Sequence, residues 1–169
     1  MPAHAVRIKE QKPIRSAMNV QVIGIKSEMG FDGIVRHFTA LGGEVVLLDP
    51  MMVCGKDHIL SAVMHAERAM KEGSNRSKTI LTETILYAAG DRQIGRAMEK
   101  MRPKNDKEMV AVLFNIDDPK LDLINSTRCD WVIDASDEKA KNLGVEVFEG
   151  ISCTDAVLEH VAMTDLLKQ

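Results

Sequence analysis

Apolar residues in this chain follow two rhythms, short unbroken runs and positions recurring every three or four residues, and the two alternate. Asn19 to Lys26 (NVQVIGIK) is rich in Val and Ile between polar ends and is predicted to be a strand. Gly30 to Leu41 then spaces Phe31, Ile34, Val35, Phe38 and Leu41 as one helical face, with Gly42 and Gly43 ending it. Glu44 to Leu48 (EVVLL) is a continuous apolar run, which fits a strand covered on both faces, and Asp49 is placed to cap the turn made by Pro50. Lys56 to Glu72 repeats Ile59, Val63, Ala66 and Met70, flanked by Leu60 and Met64, as an amphipathic helix ending at Gly73.

The second half continues in the same way. Thr79 to Ala89 gathers Ile80, Leu81, Thr84, Ile85 and Ala88 on one predicted helix face, and Gly90 stands at the stop position. Asp91 is the expected N-cap of a following helix carrying Ile94, Ala97, Met98 and Met101, so two helices meet at a Gly90–Asp91 corner. Met109 to Phe114 (MVAVLF) is predicted as a strand and Trp131 to Ile133 as another. Residues 120–126, 137–143 and 152–167 read as helices, the last capped by Ser152 or Thr154. There is no internal repeat or low-complexity linker. The expectation is a single α/β domain over residues 1–169, a mixed β-sheet flanked by α-helices, with Met1 to Arg15 flexible.

Composition narrows the class. Hydrophobic residues make up 45% of the chain, enough for a core without a staple. Cys54, Cys129 and Cys153 stand far apart, with no CxxC pair and no histidine at zinc spacing, so a reducing compartment and no metal or cofactor are expected. No apolar run approaches the roughly 18 to 20 residues that cross a bilayer, and residues 1–15 lack the apolar stretch of a secretory signal. A cytoplasmic protein without a membrane partner is expected.

The turn after the first strand, SEMGFDG, lacks the glycines of a dinucleotide fingerprint, and no paired acids support a receiver-type reading of Asp49. His58 and His65 are seven residues apart, about 10 Å along a helix and too far to grip one ion together, which favours a packing or surface role. Glu83 and Tyr87, one turn apart, read as an ordinary helix-surface pair. Together His58, His65 and Glu83 define one alternative, a small α/β enzyme; a module that binds only proteins is another.

Charge is unevenly spread. Residues 68–107 carry ten basic and five acidic side chains, whereas residues 115–169 carry five basic and twelve acidic. The basic residues surround two helix ends and a loop, where backbone N–H groups also point outward, so nucleic acid is the natural ligand for that region. Aromatic residues are only 4% of the chain, which excludes a platform of several stacking rings; Tyr87 is the one ring in the basic region.

The stretch His65 to Pro103 (HAERAMKEGSNRSKTILTETILYAAGDRQIGRAMEKMRP) resembles the signature region of the small regulatory subunit of the KEOPS complex, the PRPK-binding protein (TPRKB) family, of archaeal type. The matching positions are His65, Ala66, Arg68, Ala69, the basic loop Asn75 to Lys78, Glu83, Leu86, Tyr87, Ala88, Gly90, Arg92, Gln93, Ile94 and Ala97. The resemblance implies a non-catalytic subunit that docks on the small lobe of the KEOPS atypical kinase, contacts other KEOPS subunits indirectly, and stimulates formation of threonylcarbamoyl adenosine beside the tRNA anticodon. It also implies a hold on the tRNA 3′ CCA end. On that reading Arg76, Lys78, Arg92 and Arg96 meet phosphates, Tyr87, Gln93 and Ile94 contact the terminal nucleotides, and Gly90 allows close backbone approach. The kinase contact is expected on Val157, Val161, Met163, Leu166 and Leu167, some of which must instead face the core.

Overall fold

The computed structural model describes residues 18–168; the expected flexible segment 1–15 lies outside them. Four strands, β1 (Val20–Lys26), β2 (Glu44–Leu48), β3 (Glu108–Phe114) and β4 (Thr127–Arg128), form a sheet in the order β2-β3-β1-β4. The α/β class holds, but every hydrogen-bonded pairing is antiparallel where a mixed sheet was expected. Val20 to Lys26 opposes Phe114 to Glu108, and Glu44 to Leu48 opposes Phe114 to Val110. Thus β1 and β2, joined by helix α1 (Gly30–Ala40), run the same way with β3 inserted between them, a split β-α-β unit.

Strand β3 explains the continuous apolar run MVAVLF, because both its faces are covered. Val110, Val112 and Phe114 face one core cluster, and Met109, Ala111 and Leu113 face the other, the period of two that a strand imposes. The second cluster is closed by Ile34 and Phe38 of α1. The first is closed by helices α2 (Lys56–Glu72), α3 (Ile80–Ala89), α4 (Ile94–Met101) and α6 (Cys153–Met163), with the short α5 (Asp137–Asn142) at one side. Ser152 caps α6 by accepting from the Asp155 N–H, Ser136 caps α5, and Asp49 caps the Pro50–Met52 turn as expected.

Two expected elements differ. Trp131 to Ile133 is not a strand but part of a 3₁₀ turn, Asp130–Ile133, and Trp131 is 63% exposed. Here the Asp130 carboxylate accepts the Gly24 N–H, while the Lys139 ammonium takes the carbonyls of Val132 and Asp134. Side chains thereby occupy the groups a ladder would use. Residues 120–126 form only a 3₁₀ turn, Leu121–Ile124, bracketed by Lys120 and Asn125 in left-handed conformation.

Candidate functional site

The basic segment becomes a corner built around one buried carboxylate. Glu83 is wholly buried rather than on the helix surface. It accepts hydrogen bonds from the backbone N–H groups of Arg76 and Ser77 and from the Ser77 hydroxyl, at 2.9–3.3 Å. The Arg92 guanidinium reaches it from the far side of the corner at 3.2 Å and also donates to the Ser74 carbonyl. One carboxylate therefore folds the loop between α2 and α3 against the start of the α3–α4 corner. Thr79 completes the entry to α3 by accepting from the Thr82 N–H.

The buried face of α3 is consequently turned from the expected one. Glu83, Thr84, Leu86, Tyr87, Ala88 and Ala89 are buried, whereas Ile80, Leu81 and Ile85 are only partly covered. Tyr87 is wholly buried: its hydroxyl donates to Asp165 at 2.5 Å, its ring stacks on His65 at 5.4 Å, and the Arg92 guanidinium lies 5.9 Å from its centroid. A ring so enclosed has no face to offer a base, and the expected stacking role is corrected on that ground. His65 in turn meets Asp165 at 3.2 Å, so α2, α3 and the C-terminal 3₁₀ turn Thr164–Lys168 are tied at one point.

Gly90 closes α3 in the left-handed region at φ 70°, and the N–H groups of Gly90 and Asp91 return to the carbonyls of Tyr87 and Leu86. Asp91 is not the N-cap of α4; Gln93 is, accepting the Arg96 N–H. Asp91 instead accepts the Gln93 N–H and pairs with the Arg96 guanidinium at 2.8 and 3.0 Å. That arginine holds the Asp91 carboxyl below the usual carboxylate range. An open cavity of about 560 Å³ lies along this corner, lined by Asp91, Gln93, Gly95, Arg96, Glu99 and Lys100.

The cations thus fall into two groups. Arg92 is committed to Glu83, and Lys100 donates to the carbonyls of Ala89 and Leu143. Arg96 is exposed but paired. Arg76 and Lys78 are exposed and have no ion pair among the described residues, like Arg68 and Lys71 on the last turns of α2. Gln93 and Ile94 are also exposed.

His58 is a core residue. Its Nδ1 accepts from the Cys54 N–H, which leaves Nε2 to donate to the Ala88 carbonyl, and burial lowers its pKa to about 4. Both ring nitrogens of His58 and the Glu83 carboxylate are occupied by structural bonds, and His65 Nδ1 is turned to Asp165, so the three side chains are each held by separate partners.

The apolar C-terminal group divides cleanly. Val157 and Val161 are wholly buried and belong to the core, which corrects their expected place in a docking surface. Met163, Leu166 and Leu167 are 50%, 65% and 56% exposed and continue α6 outward as an apolar turn. Sequence reasoning missed Asp165, which anchors that turn; its only signal is an acid between apolar residues after a helix end. Among the described residues no helix is long and apolar enough to cross a membrane.

An α/β scaffold whose buried polar groups are spent on shaping a corner, and which shows solvent an apolar turn and unpaired cations, has the form of a binding module. The family model for the kinase binding protein CGI-121 matches residues 20–166, and the chain belongs to that family. A search of curated proteins finds no match.

Proposed function

We propose that this chain is a non-catalytic, cytoplasmic subunit of a KEOPS-type complex that docks on the complex's atypical kinase and brings tRNA to it by the 3′ CCA end. Membership in a kinase-binding family supports the first half. The observation that carries the docking surface is the exposed run Met163, Leu166 and Leu167, apolar side chains presented on a turn that Asp165 fixes to Tyr87 and His65. A fully desolvated apolar centre is what a specific protein contact requires.

The tRNA half rests on the exposed cations. On this reading the exposed Arg76 and Lys78 of the loop neutralise phosphates, Arg96 joins them by exchanging its Asp91 partner, and the exposed Gln93 and Ile94 meet nucleotide edges. Gly90 makes the left-handed turn that sets this corner, with its Cα packed toward His160 of α6. Arg92 acts as the residue that positions this loop, through Glu83 and Ser74, rather than as a phosphate ligand.

The test is binding of the purified chain to intact tRNA and to tRNA lacking CCA, at two salt concentrations. The expected result is affinity that falls steeply with salt and is lost with the CCA end. Equal binding to both tRNAs sinks the end-holding role, and absence of binding leaves only the kinase contact, read by co-purification with the kinase.

A further inference from the structure

The docking turn and the Gly90 corner leave one cavity unused. At the end of the sheet where β1 and β2 both finish, the segment that follows α4 folds over the start of α1. It borders an open cavity of about 610 Å³ lined by Phe31, Arg102, Pro103, Lys104, Asn105 and Asp106. Three contacts fix the segment there. The Asp49 N–H donates to the Met101 carbonyl, the Ser27 N–H donates to the Lys107 carbonyl, and the Lys104 ammonium lies 3.8 Å from Asp49. The eight residues of α4, about 12 Å of helix, separate this cavity from the Gly90 corner.

The lining groups differ in what they offer. Phe31, in the first turn of α1, is 43% exposed although it is spaced with the buried Ile34 and Phe38, so its ring is open to a planar ligand. Lys104 commits its ammonium to the carbonyls of Glu99, Lys100 and Arg102 at the end of α4. Arg102 is exposed and its guanidinium has no ion pair among the described residues, which makes it the cation free to meet an anion. Asn105 Oδ1 accepts the Lys107 N–H, and its amide NH₂ is left to donate. Asp106 also lacks an ion pair among the described residues, and its carboxylate stands over Gly30, 3.7 Å from where a Cβ would be.

We propose that this cavity binds a nucleotide: the base stacks on Phe31, the phosphate pairs with Arg102, and Asp106 and Asn105 read the base edge. An open ring, a free cation, a carboxylate acceptor and an amide donor match the three parts of that ligand. A carboxylate accepts from an exocyclic amino group, so adenine, cytosine and guanine are favoured. Uracil flanks its single edge N–H with carbonyl oxygens, which repel the carboxylate. A free nucleotide and an unpaired RNA residue present the same groups. The site does not depend on a tRNA contact at the Gly90 corner.

Amide NMR titration of the full-length chain with AMP, CMP, GMP and UMP tests the proposal. Saturable shifts are expected at Phe31, Arg102 and Lys104 to Asp106, with UMP several-fold weaker than the other three. Phe31→Ala should weaken AMP binding by about tenfold, and Phe31→Leu, which keeps apolar bulk without a ring face, should do the same. AMP should bind more tightly than adenosine to wild type and equally to Arg102→Ala, and Asp106→Asn should remove the discrimination against UMP. Arg76→Glu and Lys78→Glu should leave these affinities unchanged, so failure of the corner and failure of this cavity are read separately. A short single-stranded oligoadenylate distinguishes the sources: the same shifts at higher affinity than AMP identify RNA, and equal affinity identifies a free nucleotide. Absence of shifts at these residues, AMP affinity unaltered by Phe31→Ala and Arg102→Ala, or UMP bound as tightly as AMP overturns the proposal.

Discussion

The guanidinium of Arg92 lies 3.2 Å from the carboxylate of Glu83, with 11% of the arginine side chain and none of the glutamate side chain exposed. The carboxylate also holds two backbone N–H groups and a hydroxyl. Removing one member of such a network leaves the rest desolvated and unpaired. Glu83→Ala is therefore expected to cost about 3–5 kcal/mol, read as a lowered denaturant midpoint. Glu83→Gln keeps an acceptor for the loop but not the charge, and should cost less. A loss below about 1 kcal/mol for Glu83→Ala contradicts the anchoring role.

The same pair decides which arginine can be tested for nucleic-acid contact. Arg92→Glu sets a second carboxylate against a buried one and is expected to unfold the corner, so its loss of binding says nothing about phosphates. Arg76→Glu and Lys78→Glu change exposed side chains without ion pairs among the described residues. Each is expected to leave the melting temperature unchanged and to weaken tRNA binding, while Arg76→Ala and Lys78→Ala each reduce the salt slope by about 1. Unchanged affinity in all four removes this loop from the interface.

Gly90 faces a different constraint. Its φ of 70° is one that L side chains rarely adopt, and a Cβ there would stand 2.0 Å from His160 Nε2. Gly90→Ala is expected to destabilise by about 2–4 kcal/mol, combining the left-handed penalty with overpacking against α6. His160→Ala should recover part of that loss in the double variant, a non-additivity that equilibrium unfolding measures. If the two effects simply add, α6 is not what Gly90 accommodates.

Much of the fold was legible because it is written in periodicity. The runs at β1, β2 and β3 sit where their apolar spacing put them, as do the faces of α1 and α2 apart from Phe31 and Met64, which are exposed. Strand direction has no such signal: the insertion of β3 between β1 and β2 depends on a chain excursion through three helices. The turn at Trp131 was misread because three apolar residues look like a strand until Asp130 and Lys139 take up the neighbouring backbone groups. At the site the cations and Gly90 are visible in the sequence, but the polar groups of Glu83 and Tyr87 point outward on any pattern of hydrophobic and polar positions. Glu83 is buried because its partners include backbone N–H groups six and seven residues earlier, and no side-chain pattern records those. Val157 and Val161 share apolar character with Leu166 and Leu167, so composition does not separate core from surface there.

Stability should fall in acid before the carboxylates titrate. His58 is neutral in the fold with a pKa of about 4, and burial is the main cause, helped by His160, Lys100 and Lys139 nearby. The unfolded chain takes up that proton near 6.5, so between 6.5 and 4 it binds more protons than the native state. The His58 contribution is fully present above pH 6.5 and is lost progressively down to about pH 4, on the order of 3 kcal/mol. Burial lowers the pKa of His160 as well, which acts with the same sign. Urea unfolding across this window should give a clear slope that His58→Gln reduces; an unchanged slope assigns the acid sensitivity elsewhere.

The kinase contact can be separated from the core because the two sets of apolar side chains on α6 and its extension differ in exposure. Leu166 and Leu167 project from the Thr164–Lys168 turn with more than half of each exposed, so Leu166→Asp and Leu167→Asp should alter folding stability by no more than about 0.5 kcal/mol. In an interface whose apolar centre they supply, each charge must be desolvated without a partner, and an affinity loss of about tenfold or more is expected. Val157→Asp should act oppositely, lowering the melting temperature and weakening kinase capture only in proportion to the unfolded fraction. Co-purification and titration with the kinase, set beside thermal melts, distinguish the cases. Full kinase affinity in the Leu166→Asp, Leu167→Asp double variant would move the docking surface off this turn.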